Sequence, residues 1–238
     1  MKISFFEEFP NKKNLEKLKL FPKTKIFLAA KNVQEFRKIT KGLKGEFVYW
    51  PILAEKYGYW ISPWSEPETL QNLFDKLEKA KVPLMLDLEP PKRRWQIFTK
   101  LQHFQQNKKM IKSFISKNKE RIYTVERAHV PLFVSKMIGL SYPSKRILMY
   151  YTSFFRPFVP DHILLNRLKK KAEYCAENDC LLALGLIATG IHGFEPIYGA
   201  KELNEDLQIA KKAGVKEVVI FRLGGLNKEL VKAIKANT

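Results

Sequence analysis

The chain has 238 residues, 45% of them hydrophobic and 13% aromatic, and its 43 Lys and Arg outnumber 24 Asp and Glu to give a formal charge of +19. That apolar content supplies a sizeable core and excludes wholesale disorder. No apolar run approaches the ~20 residues of a membrane span, and the opening MKISFFEEFPNKK has no secretory apolar region, because Glu7 and Glu8 interrupt it. The expectation is a soluble, cytoplasmic chain in which Cys175 and Cys180 stay as buried thiols, too few to build a four-ligand zinc site. The positive balance either favours anionic partners or reflects a lysine-rich background, and it says nothing about fold.

Along the chain, short apolar runs alternate with longer amphipathic segments. A strand is predicted at 3–6, a short helix at 14–20, a strand at 25–29 and a helix at 33–40 behind Asn32 as N-cap. The third strand is 46–50. A loop rich in aromatics and proline leads to a helix at 67–80, where Pro67 opens the first turn and Leu70, Leu73, Phe74 and Leu77 recur at helical spacing. The fourth strand is 82–88. A long basic helical segment follows at about 92–120, with its helix at 94–117. Then come a strand at 121–125, a helix at 131–138, a strand at 146–151 and a helix at 161–177. The last units are a strand at 180–187, a helix at 202–213 closed by Gly214, a strand at 215–221 and a helix at 228–236.

Eight strands in strict alternation with eight helices imply parallel strands joined by helical crossovers. The length matches a single (β/α)8 TIM-type barrel domain spanning 1–238. An open doubly wound sheet is the alternative, but the turn after the first strand, EEFPNKK, lacks the glycines of a phosphate turn, and there is no Walker A sequence.

In such barrels the active site forms on the loops at the C-terminal ends of the strands. The most specific feature there is Leu84-Met85-Leu86-Asp87-Leu88-Glu89. Period-two alternation puts Met85, Asp87 and Glu89 on one face, directed into the barrel. Two acids so placed raise one another's pKa, as a general acid requires. The competing reading is that arginines such as Arg93 or Arg222 pair with them and merely close the barrel top. Glu8 shares the parity of Ser4 and Phe6, and Glu126 ends strand five; either could be a second acid. Glu7 reads as a surface or helix-facing neighbour. Trp50, Trp60 and Trp64 after strand three, and Tyr150 and Tyr151 after strand six, suit stacking on a sugar, or else pack their own loops. His192 and Arg222 end strands seven and eight. The histidines are too dispersed for a metal site, and no cofactor is expected.

The Asp87-x-Glu89 pair at the end of strand four resembles the end of the signature of family 18 chitinases, and the acidic pair of family 25 lysozymes, both barrel-fold glycoside hydrolases. The resemblance implies that Glu89 is the proton donor, Asp87 its partner, and Tyr150 or Tyr151 a substrate-binding tyrosine. The lysozyme comparison adds Glu8. The chain departs from the chitinase pattern at Val82 and Met85, where aspartates are expected, and at Arg222, where a tryptophan is expected.

The leading expectation is therefore a glycoside-hydrolase-like enzyme acting on a glycan. Two alternatives stay open. One is a barrel that binds a phosphorylated small molecule at the loops after strands seven and eight, through Thr189-Gly190, His192-Gly193, Arg222 and Gly224-Gly225. The other is a non-enzymatic binder of nucleic acid or lipid headgroups through the basic segment, with Arg93, Arg94, Lys108, Lys109 and Lys112 as contacts. Oligomeric state is not legible.

Overall fold

The computed structural model describes residues 1–90, 101–130 and 132–238. Eight strands close into a barrel in chain order: β1 (Lys2–Glu7), β2 (Lys25–Ala30), β3 (Glu46–Pro51), β4 (Leu84–Asp87), β5 (Ile122–Arg127), β6 (Lys145–Met149), β7 (Leu181–Gly185) and β8 (Glu217–Phe221). Between and after them stand helices α1 (Lys12–Leu15), α2 (Val33–Thr40), α3 (Pro67–Ala80), α4 (Phe104–Lys117), α5 (Leu132–Met137), α6 (Asp161–Glu177), α7 (Ala200–Lys212) and α8 (Lys228–Lys235). Closure is explicit in the parallel pairing of β1 with β8, from Lys2 opposite Glu217 to Phe6 opposite Phe221. This is the expected (β/α)8 architecture and not the open sheet.

The local chemistry explains where elements start. Asn11 accepts the N–H of Asn14, so α1 begins at Lys12, earlier than expected, and continues as a 3-10 turn over Glu16–Leu20. Asn32 caps α2 through the N–H of Glu35. Asn227 caps α8, accepting from the N–H of Leu230 at 2.9 Å. Replacing Asn227 with alanine removes that acceptor and should cost about 1 kcal/mol in urea unfolding; a loss under a few tenths would mean the cap is idle. The first part of the predicted helix at 94–117, and Pro131 ahead of α5, lie outside the described residues.

The chain divides into two compact units. The first is Met1–Leu28, Gly42–Phe47 and Ile147–Thr238. Here β1, β7 and β8 run side by side, with Ala183 opposite Val219 and Phe5 opposite Ile220. Their side chains are buried on both faces, as helix-covered parallel strands require. Helices α6, α7 and α8 supply Leu164, Leu168, Leu203, Leu207 and Ile234 to this core.

The second unit is Ala29–Lys41 and Val48–Arg146. Its core joins β4 and β5, paired from Leu84 opposite Ile122 to Asp87 opposite Val125, to helices α3 and α4. The two helices meet at Phe74 and Phe114, whose rings stack at 4.3 Å. Arg121 belongs to this scaffold and not to a polyanion face: it donates to the carbonyls of Val82 and Leu77. Lys108 likewise donates to the carbonyl of Met137.

One expectation is corrected here. Cys175 and Cys180 are not separate thiols but form a disulfide between the last turn of α6 and the start of β7. No helix among the described residues is long and apolar enough to cross a membrane.

Candidate functional site

In the second unit, Glu89 of the strand-four pair is held by an arginine that the strand register supplies. Because Asp87 lies opposite Val125, residue 89 comes opposite residue 127. Arg127 grips Glu89 with two bonds, Nε to Oε1 at 3.0 Å and Nη2 to Oε2 at 2.5 Å. The charge of Asp87 also acts on Arg127. A general acid must present a protonated oxygen to the leaving group; both oxygens of Glu89 instead accept from a guanidinium.

Glu126 is engaged in the same way. It is buried and accepts from Arg146 Nε at 3.1 Å, Arg146 Nη2 at 2.8 Å and Ser141 Oγ at 2.7 Å. Three tryptophans of this unit are core residues: Trp50, Trp60 and Trp64 are all buried, with Trp60 edge-on to Tyr59 and Trp64 against Phe104. Arg93 and Arg94 lie outside the described residues.

In the first unit, polar side chains gather at the C-terminal ends of β1, β7 and β8. Glu7, read from sequence as a surface or helix-facing neighbour, faces α1 and is fully buried. Its Oε1 accepts from the Phe9 N–H at 2.8 Å, Asn14 Nδ2 at 3.2 Å and Arg222 Nη1 at 3.2 Å. Its Oε2 accepts from the Gly224 N–H at 2.7 Å. Burial raises its pKa against the opposing pull of Arg222 and these donors. A Cβ on Gly224 would strike Arg222 and Asn14, and one on Gly225 would overlap the Ile187 carbonyl. The Gly224 N–H, with Asn14 and Arg222, thus cradles an anion, and that anion is Glu7, whereas the Gly225 N–H bonds the Arg222 carbonyl.

The β7 loop, residues 186–199, has no regular secondary structure. Loops of more than about 12 residues are uncommon in compact domains and usually functional. Glu195 folds back within this loop, and its Oε1 accepts the N–H of His192 at 3.0 Å. Gly190 lies between two acids: a Cβ there would sit 2.9 Å from Glu8 Oε2, 3.1 Å from Glu195 Oε1 and 3.1 Å from the Phe221 ring. Arg222 Nε ties the loop to the end of β8 through the carbonyl of Thr189 at 2.9 Å. His192 itself is exposed. Tyr150 and Tyr151 are buried after β6, with Tyr151 at 5.9 Å from Phe221.

Behind these loops is a buried lock that sequence reading missed. Asp206 on α7 is fully buried and accepts from Thr152 Oγ1 at 2.5 Å and Tyr198 OH at 3.0 Å, with Arg156 at 3.6 Å. Thr152 and Arg156 follow β6 and Tyr198 precedes α7, so one carboxylate pins two loops. The signal was present: Leu203, Asp206, Leu207 and Ala210 fall on one helical face. A lone acid on an apolar stripe calls for a buried partner.

Of the expected site residues, the structure thus brings together Glu8, Tyr151, Arg222, Gly224 and Gly225 in the first unit, with Glu7 and Glu195 added. Asp87, Glu89 and Glu126 belong to arginine-bound clusters in the second. Among the described residues no group of three or more His, Cys, Asp or Glu is arranged to hold a metal.

The fold and site define a (β/α)8 barrel with an acid-rich mouth on its first unit. No family model and no curated protein matches the chain. Among solved structures, a similar one is 7,8-dihydropteroate synthase from Vibrio fischeri ES114, at 15% identity and a TM-score of 0.37, covering 94% of this chain and 70% of that one. The glycoside-hydrolase expectation is corrected by the site's own geometry: both oxygens of Glu89, the proton donor assigned to the chitinase-like pair, are bound by Arg127.

Proposed function

We propose that the protein is a small-molecule-binding barrel whose ligand is held in the first unit by the loops that follow β7 and β8. The observation that carries this reading is the convergence of the long irregular loop after β7, the end of β8 and the acid after β1, where Glu8, Glu195 and the Phe221 ring all crowd against Gly190. Convergent polar groups beside an aromatic wall are the usual make-up of a ligand site.

The test is a thermal-shift screen of the full chain with amines, polyols, nucleotides and phosphorylated sugars, repeated with Gly190→Leu. A ligand present at 100 times its Kd stabilises by about 2.7 kcal/mol, which is a shift of roughly 5–10 °C for a chain of this size. The shift should vanish in Gly190→Leu, because a side chain there must displace Glu8, Glu195 or Phe221 from the converged arrangement. A hit that stabilises both proteins equally would sink the reading, as would a screen without hits.

A phosphate on that ligand is the second reading, favoured by the anion cradle at Gly224 and the net charge of +19. It makes a separate demand. Glu7 occupies the cradle, so Glu7→Gln, which removes the competing negative charge, should tighten binding of phosphorylated compounds. Weaker or unchanged binding would remove phosphate from the cradle.

A further inference from the structure

We infer that the face of the first unit at the N-terminal ends of its strands is a docking surface for the phosphate backbone of a double-helical nucleic acid. This face lies at the opposite end of the strands from the loops of the proposed ligand site, so the inference goes beyond that reading and does not rest on it.

The first observation is where the excess charge gathers. The chain carries +19, and Lys2, Lys19, Lys23, Lys44, Lys212 and Lys235 are all exposed. Lys2 opens β1, Lys19 and Lys23 precede β2, Lys44 precedes β3, Lys212 ends α7 ahead of β8, and Lys235 ends α8. Strand starts and helix ends share one face of a (β/α)8 barrel. Hydrogen bonds make that face continuous. The Lys2 N–H donates to the carbonyl of Lys216, just past Lys212, at 2.9 Å. Thr24 Oγ1 donates to the Ile3 carbonyl, and the Thr24 carbonyl accepts the N–H of Glu46 at 3.3 Å, so Lys23 stands between Lys2 and Lys44. Lys235 Nζ lies 5.9 Å from the centre of the Phe21 ring, in the turn that carries Lys19 and Lys23.

The second observation is that this charge is unanswered. Glu46 and Glu217 both lie on Lys25, at 3.9 and 3.0 Å, and Asp179 holds Lys216 at 2.7 Å; Glu177 is not in such a pair. Among the described residues none of the six lysines is in an ion pair. Cations complement the C-terminal end of a helix, which accounts for Lys212 and Lys235. It does not account for Lys2, Lys23 and Lys44, which open or precede strands.

The third observation is what the face lacks. The well-exposed aromatics of this unit, Phe154, Phe158 and Phe194, follow β6 and β7 at the opposite end. Of the exposed large apolar side chains, only Leu20 accompanies the lysines among the described residues. A surface for single strands stacks bases on aromatic rings, and one that enters a bilayer sets apolar side chains beside its lysines. Lysine ammoniums are point charges without a planar fork. Several of them on one face suit the closely spaced phosphates of a duplex, bound without reading its sequence.

The experiment is fluorescence anisotropy of the full chain with a short DNA duplex and an RNA duplex of equal length, and flotation with phosphatidylserine vesicles. The duplexes should bind with a Kd of about 10⁻⁶ M or tighter at about 50 mM salt, and about 10³-fold more weakly at about 200 mM, as some six phosphate contacts require. Lys23→Gln, Lys44→Gln and Lys212→Gln together should weaken binding at least about tenfold and make the log–log salt slope shallower by about three. The control removes the same charge at the other end, through Lys12→Gln, Lys13→Gln and Lys201→Gln, exposed residues that begin α1 and α7. It should stay within about threefold of wild type, because salt screens charges that far from the face. Circular dichroism checks each fold, and should a triple variant unfold, its three single changes replace it. A preference for DNA or for RNA supports the inference and names the source of the duplex. The inference is overturned if neither duplex binds at about 50 mM salt, if both triple variants weaken binding equally, or if the vesicles bind as tightly as the duplexes or in their place.

Discussion

Replacing Arg146 with methionine will cost about 3–5 kcal/mol of folding stability, the range for removing one partner of a buried ion pair. The reason is what it leaves behind. Glu126 has a side chain only 3% exposed, and Arg146 supplies most of the donors that hold it; Ser141 supplies one more. Without the guanidinium, a charge is stranded in the second unit with a single hydroxyl to answer it. Methionine keeps the length of the stem, so the loss reports on charge more than on packing. For a chain of this size the Tm should fall by roughly 6–20 °C. Pairing the change with Glu126→Gln should restore more than half of the loss in urea unfolding, because the neutral amide can still accept from Ser141. A cost below about 1 kcal/mol would class the pair with solvent-exposed ones. It would also reopen Glu126 as a free acid. The Glu89–Arg127 pair should behave alike but less severely, since Arg127 is 34% exposed and water can reach it.

The barrel was legible because alternation and strand spacing are local properties. Eight apolar runs alternating with helical segments imply parallel strands, and their number matches a closed barrel. The partners of the acids were not legible, because they depend on register. Sequence offered Arg93 and Arg222 for the strand-four acids. The true partner of Glu89 is Arg127, 38 residues away, and it is fixed only once β4 and β5 pair with Asp87 opposite Val125. Glu7 was left open between the surface and the helix side, and its burial was not legible for another reason. Inward and outward parity separates core from solvent where one face is wet. A strand covered by helices is dry on both faces, so the outward neighbour of Glu8 is buried as deeply as any core residue. The aromatic loop after β3 shows the same limit: six aromatics in a short stretch announce either a platform or a satellite core, and burial of Trp50, Trp60 and Trp64 makes it a core.

Asp206 will make the protein less stable as the pH rises from about 4 to about 6. Burial pushes its carboxyl up to about 6, against the opposing hydrogen bonds from Thr152 and Tyr198 and the charge of Arg156, whereas its ordinary value is 3.8. Below both values the group is protonated folded or unfolded, and it contributes no difference. Between them the unfolded chain has released the proton while the folded chain still holds it, so each step upward in pH favours unfolding. Above about 6 both states are ionised and the loss is complete. A shift of about two units amounts to roughly 3 kcal/mol. Glu7, whose pKa burial also raises, pulls in the same direction, so the wild-type slope alone cannot isolate Asp206. Asp206→Asn can: the amide oxygen still accepts from Thr152 and Tyr198, and the titration is gone. Urea unfolding at a series of pH values should therefore show the wild type losing about 3 kcal/mol relative to Asp206→Asn between pH 4 and pH 7. Parallel curves would mean that Arg156 holds the carboxylate fully ionised in the folded state. Because Thr152 and Tyr198 anchor the loops after β6 and β7, hydrogen exchange in those loops should rise over the same interval in the wild type and stay flat in the variant.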